Sequence, residues 1–463
     1  MPARAFILAV VALAAAWPSL LAEPTGEASG AVPAAQPRSG AVARSIAPFG
    51  EAMPTPRARA GTALAARRGI GRRQLRRRLA RELRRVGGAS GAWVADFRAP
   101  RRRVLFAKAA GKPRLLASNT KLFTTAAYLA RFGPEHQLRT RVWMRGERTG
   151  PNGGVLRGSL VLVGDGDPAL NARSFAARHG LPHTSLRPLA HAVKDAGITR
   201  VRGQIRADET IFDGKRSVPQ AGISGGPYLS PLSGLSFNSG YDGTRYAANP
   251  ARIAGRHFKR ALEALGVKVS GKVKVARGAP NLRNEPPLAE VESPRALALL
   301  AQTNKPSDNF FAEMLLKRLG AKPGARATTR RGAARAERFA RSIGSGVSME
   351  NGSGLSRRNV ASPRQVGKLL VAMHRRRELW PTWRDSLAIA GRDGTLAGRM
   401  RGTAAEGRCR GKTGTINGVS ALSGYCRAGR GGLVAFSILM NSVDTAAARI
   451  AQDRMVAAIA RYR

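Results

Sequence analysis

Acidic residues are scarce: 28 of 463 positions are Asp or Glu against 79 Lys or Arg, giving a formal charge of +51. Lysine supplies only 14 of the basic residues, and the other 65 are arginines spread along the whole chain. An excess of this kind suits a polyanionic partner, either nucleic acid or an anionic cell envelope, or else solvated basic faces without a partner. The even scatter favours solvated faces. Cysteine is scarcer still. Two residues exclude a disulfide-rich scaffold and leave room for one bridge. The six histidines offer no metal set, because His179 and His183, at helical spacing, have Pro182 between them. Gly164-Asp165-Gly166-Asp167-Pro168 lacks the further ligands and bidentate glutamate of an EF-hand and reads as a turn. No metal and no cofactor are therefore expected.

Long apolar runs are also missing after the N-terminus, which excludes later membrane-spanning helices. At the start, Arg4 precedes the apolar run Phe6–Ala16, then Trp17-Pro18 and Leu20-Leu21-Ala22. This reads as a secretory signal over 1–22, with an uncleaved anchor as the alternative, so the chain is expected to be exported to a periplasm, cell wall or medium. Residues 23–70 are rich in Ala, Pro, Gly and Arg and poor in large apolar groups, the composition of a disordered linker. Leu75, Leu79, Leu83 and Val86 then form one helical stripe. Two strands follow, Ala92–Asp96 and Arg103–Phe106, with a turn around Ala99-Pro100. From about 141 to 289 the texture changes to short strands and Gly/Pro turns: Arg141–Met144, Gly158–Val163, Gly203–Ala207 and Lys268–Val275, interrupted by one helix, Pro250–Leu265. Helical periodicity returns at Arg295–Gln302 and Asn309–Leu319. The middle portion thus reads as a β-rich accessory domain inserted between the halves, 71–140 and 290–463, of a discontinuous catalytic domain.

Three short motifs carry chemistry. In Ala117-Ser118-Asn119-Thr120-Lys121, small polar residues precede Leu122, Ala126 and Leu129 at helical spacing, so Ser118 opens a helix and Lys121 lies one turn on, on the same face. A lysine deprived of water there loses its proton near neutral pH and activates the serine hydroxyl. Ser307-Asp308-Asn309 stands at the mouth of the next amphipathic helix, where it also suits an N-cap. Gly411-Lys412-Thr413-Gly414-Thr415 reads as a strand whose glycines mark a close approach. Each motif alone is weak. In this order, Ser-x-x-Lys, Ser-Asp-Asn and Lys-Thr-Gly form the set known from class A β-lactamases and penicillin-binding proteins.

From about residue 72 onward the sequence resembles the D-alanyl-D-alanine carboxypeptidase/endopeptidases of the class C low-molecular-mass penicillin-binding proteins, peptidase family S13. The similarity extends to Gly164–Pro168, Gly203–Asp208, Pro231–Ser236, Asn351-Gly352-Ser353-Gly354-Leu355-Ser356, Gly394-Thr395-Leu396 and Gly411–Tyr425. It implies an α+β fold of the penicillin-binding/serine β-lactamase type, a helical subdomain with an antiparallel sheet flanked by helices, plus the mainly β insertion. It implies that Ser118 attacks the penultimate D-alanine of a peptidoglycan stem peptide and that Lys121, held neutral, takes the hydroxyl proton. Ser307 would relay a proton to the leaving group, Asn309 would orient Lys121 and the substrate amide, and Lys412 would supply positive potential. Thr413 and Thr415 would bind the terminal carboxylate beside Gly414, with the oxyanion between the N–H groups of Ser118 and Thr415. β-Lactam antibiotics would acylate Ser118 by the same route. The +51 charge fits association with anionic wall polymers, and no nucleic acid is expected. Leu116 stands where the family often has proline, and the insertion is shorter than in larger members.

The cysteines follow from the turn. A two-residue hairpin at Asn417-Gly418 puts Cys409 opposite Cys426 in a non-hydrogen-bonded pair, where Cα atoms are closest, so a disulfide is expected; two buried thiols are the alternative. Two other functions remain open at this stage: a β-lactamase of the same fold, and an inactive basic protein that binds envelope polymers or another polyanion.

Overall fold

The computed structural model describes residues 69–97, 103–219, 228–276, 278, 285–429 and 431–463. The signal, the linker up to residue 68 and the turn at Ala99-Pro100 lie outside the described residues.

Alternating side chains in the sheet strands create two apolar faces, and each face is covered by helices. Trp93 and Ala95 point into a core shared with Val366 and Leu370, while their neighbours Ala92 and Val94 enter a second core with Leu75 and Leu79. The sheet has the spatial order Ala388–Ile389, Cys409–Ile416, Val419–Arg427, Leu433–Asn441, Ala89–Asp96 and Arg103–Lys108, and its pairings are antiparallel. Its central strands are buried on both sides, which is why they read as nearly continuous apolar or small residues. Ala89–Asp96 pairs along its whole length with Leu433–Asn441, so segments more than three hundred residues apart close one sheet.

The expected Leu75 stripe lies on the helix Arg72–Val86, where Leu75, Leu79 and Leu83 are buried. On the opposite side of the sheet, Thr120–Phe132, Ala296–Asn304, Asn309–Leu319 and Thr329–Ser342 pack around Phe123, Leu129, Leu300, Phe311 and Leu315. Asp308 caps Asn309–Leu319 by accepting from Phe311 N, as its N-cap chemistry suggests.

Residues 139–292 build a second, mixed sheet. Ala289–Glu292, Arg139–Thr149, Val155–Val163, Arg200–Val201 and Lys268–Val269 run in that order, and Ile205–Asp208 bridges Val155–Val163 to Val273–Val275. This portion has its own core, including Leu160, Leu162, Val193, Ile205 and Phe258. Two expectations change here. The run Lys268–Val275 is two strands, because at Gly271 the chain passes so close to Gly203 that a Cβ would meet its carbonyl oxygen. Besides Pro250–Ala264 there are two helices the pattern did not reveal, Arg173–His179 and Arg187–Asp195; seven and nine residues give too little periodicity to read. The portion docks on Asn309–Leu319 through apolar contact, with Phe212, Leu229 and Leu232 in the core around Leu315, and through charge: Lys317 Nζ lies 2.5 Å from Asp213 Oδ1 and donates to Lys215 O, and Arg318 pairs with Asp165.

Candidate active site

Ser118 lies in a tight 3-10 turn, Ala117–Asn119, that runs directly into the helix Thr120–Phe132. The turn is held from several directions. Ala117 has φ 44°, in the left-handed region that disfavours non-glycine residues, and Thr120 Oγ1 donates to its carbonyl at 2.9 Å. Fully buried Asn119 donates through Nδ2 to Lys412 O at 2.9 Å, tying the turn to the Cys409–Ile416 strand. Just before it, Leu115 N donates to Asn441 Oδ1 at 2.7 Å and Leu116 N to Asn359 O at 3.1 Å. Gly414 comes so close that a Cβ there would stand 2.8 Å from Leu116 O and 3.0 Å from Ser118 N. This is the close approach the glycine in that strand suggested.

Lys121 is fully buried beneath the serine. Its Nζ lies 2.9 Å from Ser118 Oγ, 2.6 Å from Asn309 Oδ1 and 2.7 Å from Ser353 O. Asn309 Oδ1 and the Ser353 carbonyl can only accept. A neutral amine gives each one N–H and keeps its lone pair for the hydroxyl of Ser118. Burial pushes the Lys121 ammonium down to about 7, opposed by the carboxylates of Glu313 and Asp308.

Ser307 and Asn309 sit at the start of the next helix. Ser307 adopts φ 70°, and Asn309 also donates through Nδ2 to Tyr228 O at 2.9 Å. Asp308 accepts from Phe311 N and from Gln302 Nε2, so it organises the loop. On the third side stand Lys412, Thr413, Gly414 and Thr415. Lys412 is fully buried and donates to Thr413 O at 3.0 Å. Burial, and then the charge of Lys121, hold its proton affinity well below the usual lysine range. Thr413 Oγ1 donates to Thr395 Oγ1 at 2.8 Å, and Thr415 Oγ1 accepts from Arg449 at 3.2 Å.

Ser118, Ser307, Thr413, Gly414 and Thr415 line one open cavity of about 580 Å³, completed by Thr395, Arg399, Arg449 and Asp453 among others. Behind it, Cys409 and Cys426 are register partners joined in a disulfide with Cα atoms 4.1 Å apart. The bridge links the Lys412 strand to its neighbour three residues before Lys412 itself.

Four residues of this site carried no role in the sequence reading. Glu313 is fully buried and accepts from Gly352 N and Ser353 N; an acid in an otherwise apolar helix stretch, one turn after Asn309, was its signal. Ser353 and Thr395 belonged to stretches noted only for family similarity. Arg449, one of 65 arginines, gave no signal at all.

The sequence matches the D-Ala-D-Ala carboxypeptidase 3 (S13) family over residues 74–242 and 240–462. It is 31% identical over 459 residues to the D-alanyl-D-alanine carboxypeptidase of Actinomadura sp. (strain R39), covering 81% of this chain and 82% of the relative. It is 28% identical over 373 residues to the carboxypeptidase DacB of Mycolicibacterium smegmatis, covering 77% of each. Among solved structures, penicillin binding protein 4 of Haemophilus influenzae shares the fold with a TM-score of 0.66 at 20% identity, over 81% of this chain and 97% of that one. The chain is an enzyme of the D-Ala-D-Ala carboxypeptidase 3 (S13) family, a peptidase.

Proposed function

We propose that this enzyme hydrolyses the D-Ala-D-Ala end of peptidoglycan stem peptides through an acyl-enzyme on Ser118, and that β-lactams inhibit it by acylating the same oxygen. The observation that carries this reading is the environment of Lys121: two obligate acceptors, one hydroxyl and burial that favours the free amine. Lys121 takes the Ser118 proton as Oγ bonds to the carbonyl carbon of the penultimate D-alanine. The oxyanion faces the N–H groups of Ser118 and Thr415. Collapse breaks the C–N bond, and the departing amine receives a proton by way of Ser307. Water then attacks the ester and frees Ser118. Asn309 keeps Lys121 aimed and meets the substrate amide, while Thr413 and Thr415 hold the terminal carboxylate and Lys412 supplies positive potential beside it.

The same cavity is open at one side, and the reading extends to cross-linked peptides, whose scissile bond also follows a D-alanine carbonyl. Residues 141–289 act as the accessory domain that shapes access, inserted in a catalytic domain formed by 71–140 and 290–463. The chain is exported, and its arginines hold it to anionic wall polymers, which predicts release from isolated walls as salt is raised. The test of the central reading combines labelling by a fluorescent penicillin with digestion of defined monomeric and cross-linked muropeptides. Wild-type enzyme is expected to be labelled and to release D-alanine, and Ser118→Ala to do neither. Labelling that survives Ser118→Ala defeats it. Fast antibiotic turnover would instead mark a β-lactamase.

A further inference from the structure

The buried carboxylate of Glu313 has no part in the steps above, yet it stands directly behind the base. It lies four residues after Asn309 on the helix Asn309–Leu319, hence on the same face, and is completely shielded from solvent. Its Oε1 accepts from Ser353 N at 2.7 Å and from Gly352 N at 3.0 Å, and Oε2 also lies 3.0 Å from Gly352 N. Burial raises the proton affinity of this carboxyl, and the Ser353 hydroxyl, the two backbone N–H groups and Lys121 oppose it; a protonated carboxyl would turn an O–H toward an N–H. Ser353 is thereby held at both ends. Its N–H goes to Glu313 and its carbonyl oxygen accepts from Lys121 Nζ.

We propose that Glu313 is a positioning residue of the peptidase reaction: its carboxylate clamps the Gly352-Ser353 backbone that aims Lys121, and its negative charge offsets the burial of that amine. The proposal rests on the acyl-enzyme reading above. A base in a dry site has to remain basic enough to accept the Ser118 proton. The charged groups that act on Lys121 are Glu313 and Asp308, at the same helix's cap; Lys412 on the facing strand is itself held well below the usual lysine range by burial and by Lys121. Asp308 is engaged by Phe311 N and Gln302, and Glu313 is the larger anionic influence on Lys121. Lys317, one turn beyond Glu313, is paired with Asp213.

The test is the pH profile of acylation by a chromogenic cephalosporin in full-length wild type, Glu313→Gln and Glu313→Asp, from about pH 5 to about pH 9. Glu313→Gln keeps an acceptor for the backbone N–H groups and removes the charge. Its acid limb is expected to move to lower pH by about one unit or more, with a lower plateau from the weaker base. Glu313→Asp keeps the charge and loosens the clamp, so its limb stays and its rate falls. A Glu313→Gln limb that coincides with wild type overturns the proposal, as does an equal shift in both variants. A second measurement needs no variant: infrared spectra of wild type with 13C-labelled glutamate should show no buried protonated carboxyl at neutral pH, and a clear band for one overturns the ionic role. Wild type that is not acylated at all defeats the proposed function instead.

Discussion

Gly414 is where the strand of Lys412 comes nearest the nucleophile, and the smallest possible enlargement tests whether that approach matters. In Gly414→Ala the new methyl would stand 2.8 Å from Leu116 O, and 3.0 Å from both Ser118 N and Asn119 N. All three are backbone atoms and cannot rotate away. Carbon-to-oxygen contacts settle at about 3.3 Å or more, so strand and turn must part by about 0.5 Å. The turn resists, since Asn119, Leu115 and Leu116 are each tied by hydrogen bonds to other elements. The parting falls between the two N–H groups assigned to the oxyanion, which need donor distances of about 2.7–3.1 Å. Losing one such donor typically costs 10²–10³ in rate, so acylation is expected to slow by about 10²-fold, or about 2.7 kcal/mol of barrier. Overpacking strain should lower unfolding stability by only about 1–3 kcal/mol, leaving a folded enzyme to assay. Stopped-flow acylation by a fluorescent penicillin, paired with urea unfolding, reads both effects. A folded Gly414→Ala enzyme acylated within about twofold of wild type would refute the placement of the oxyanion site.

Other outcomes follow from the same geometry. Because burial pushes the Lys121 ammonium down to about 7, the lone pair proposed to accept the Ser118 proton disappears below that pH, and acylation of wild type should fall about tenfold per unit on the acid side; a flat profile to pH 5 counts against Lys121 as the base. The Cys409–Cys426 bridge closes a sequence separation of 17 residues, so the double Cys→Ala variant should lose about 3 kcal/mol in urea unfolding under oxidising conditions, and an unchanged midpoint would show that the bridge constrains little. Arg449→Ala removes the guanidinium beside Thr415 and should raise KM for peptides ending in a free carboxylate by up to about fivefold, leaving C-terminal amides unaffected; equal effects on both would assign Arg449 a purely structural role.

Much of this site is visible in one dimension. The spacing of Ser118 and Lys121 places both on one helical face, and the two-residue turn at Asn417-Gly418 fixes the register that brings Cys409 to Cys426. Apolar periodicity and the Asp308 cap delimit Asn309–Leu319. These features depend on neighbours a few residues away, where backbone geometry alone decides direction. The short helices Arg173–His179 and Arg187–Asp195 escaped because a turn or two of periodicity cannot be told from a loop.

What surrounds Lys121 was decided elsewhere. Asn309 and Ser353 reach it from 188 and 232 residues along the chain, and Glu313 acts on it through a backbone segment of a different element. The sequence determined which groups could react, because chemical identity and local spacing are written there. Tertiary packing alone decided that both lysines lose their water, and that one of them has two acceptors and a hydroxyl within hydrogen-bond distance. Desolvation and long-range charge depend on everything packed around a group, and no local stretch of residues encodes that.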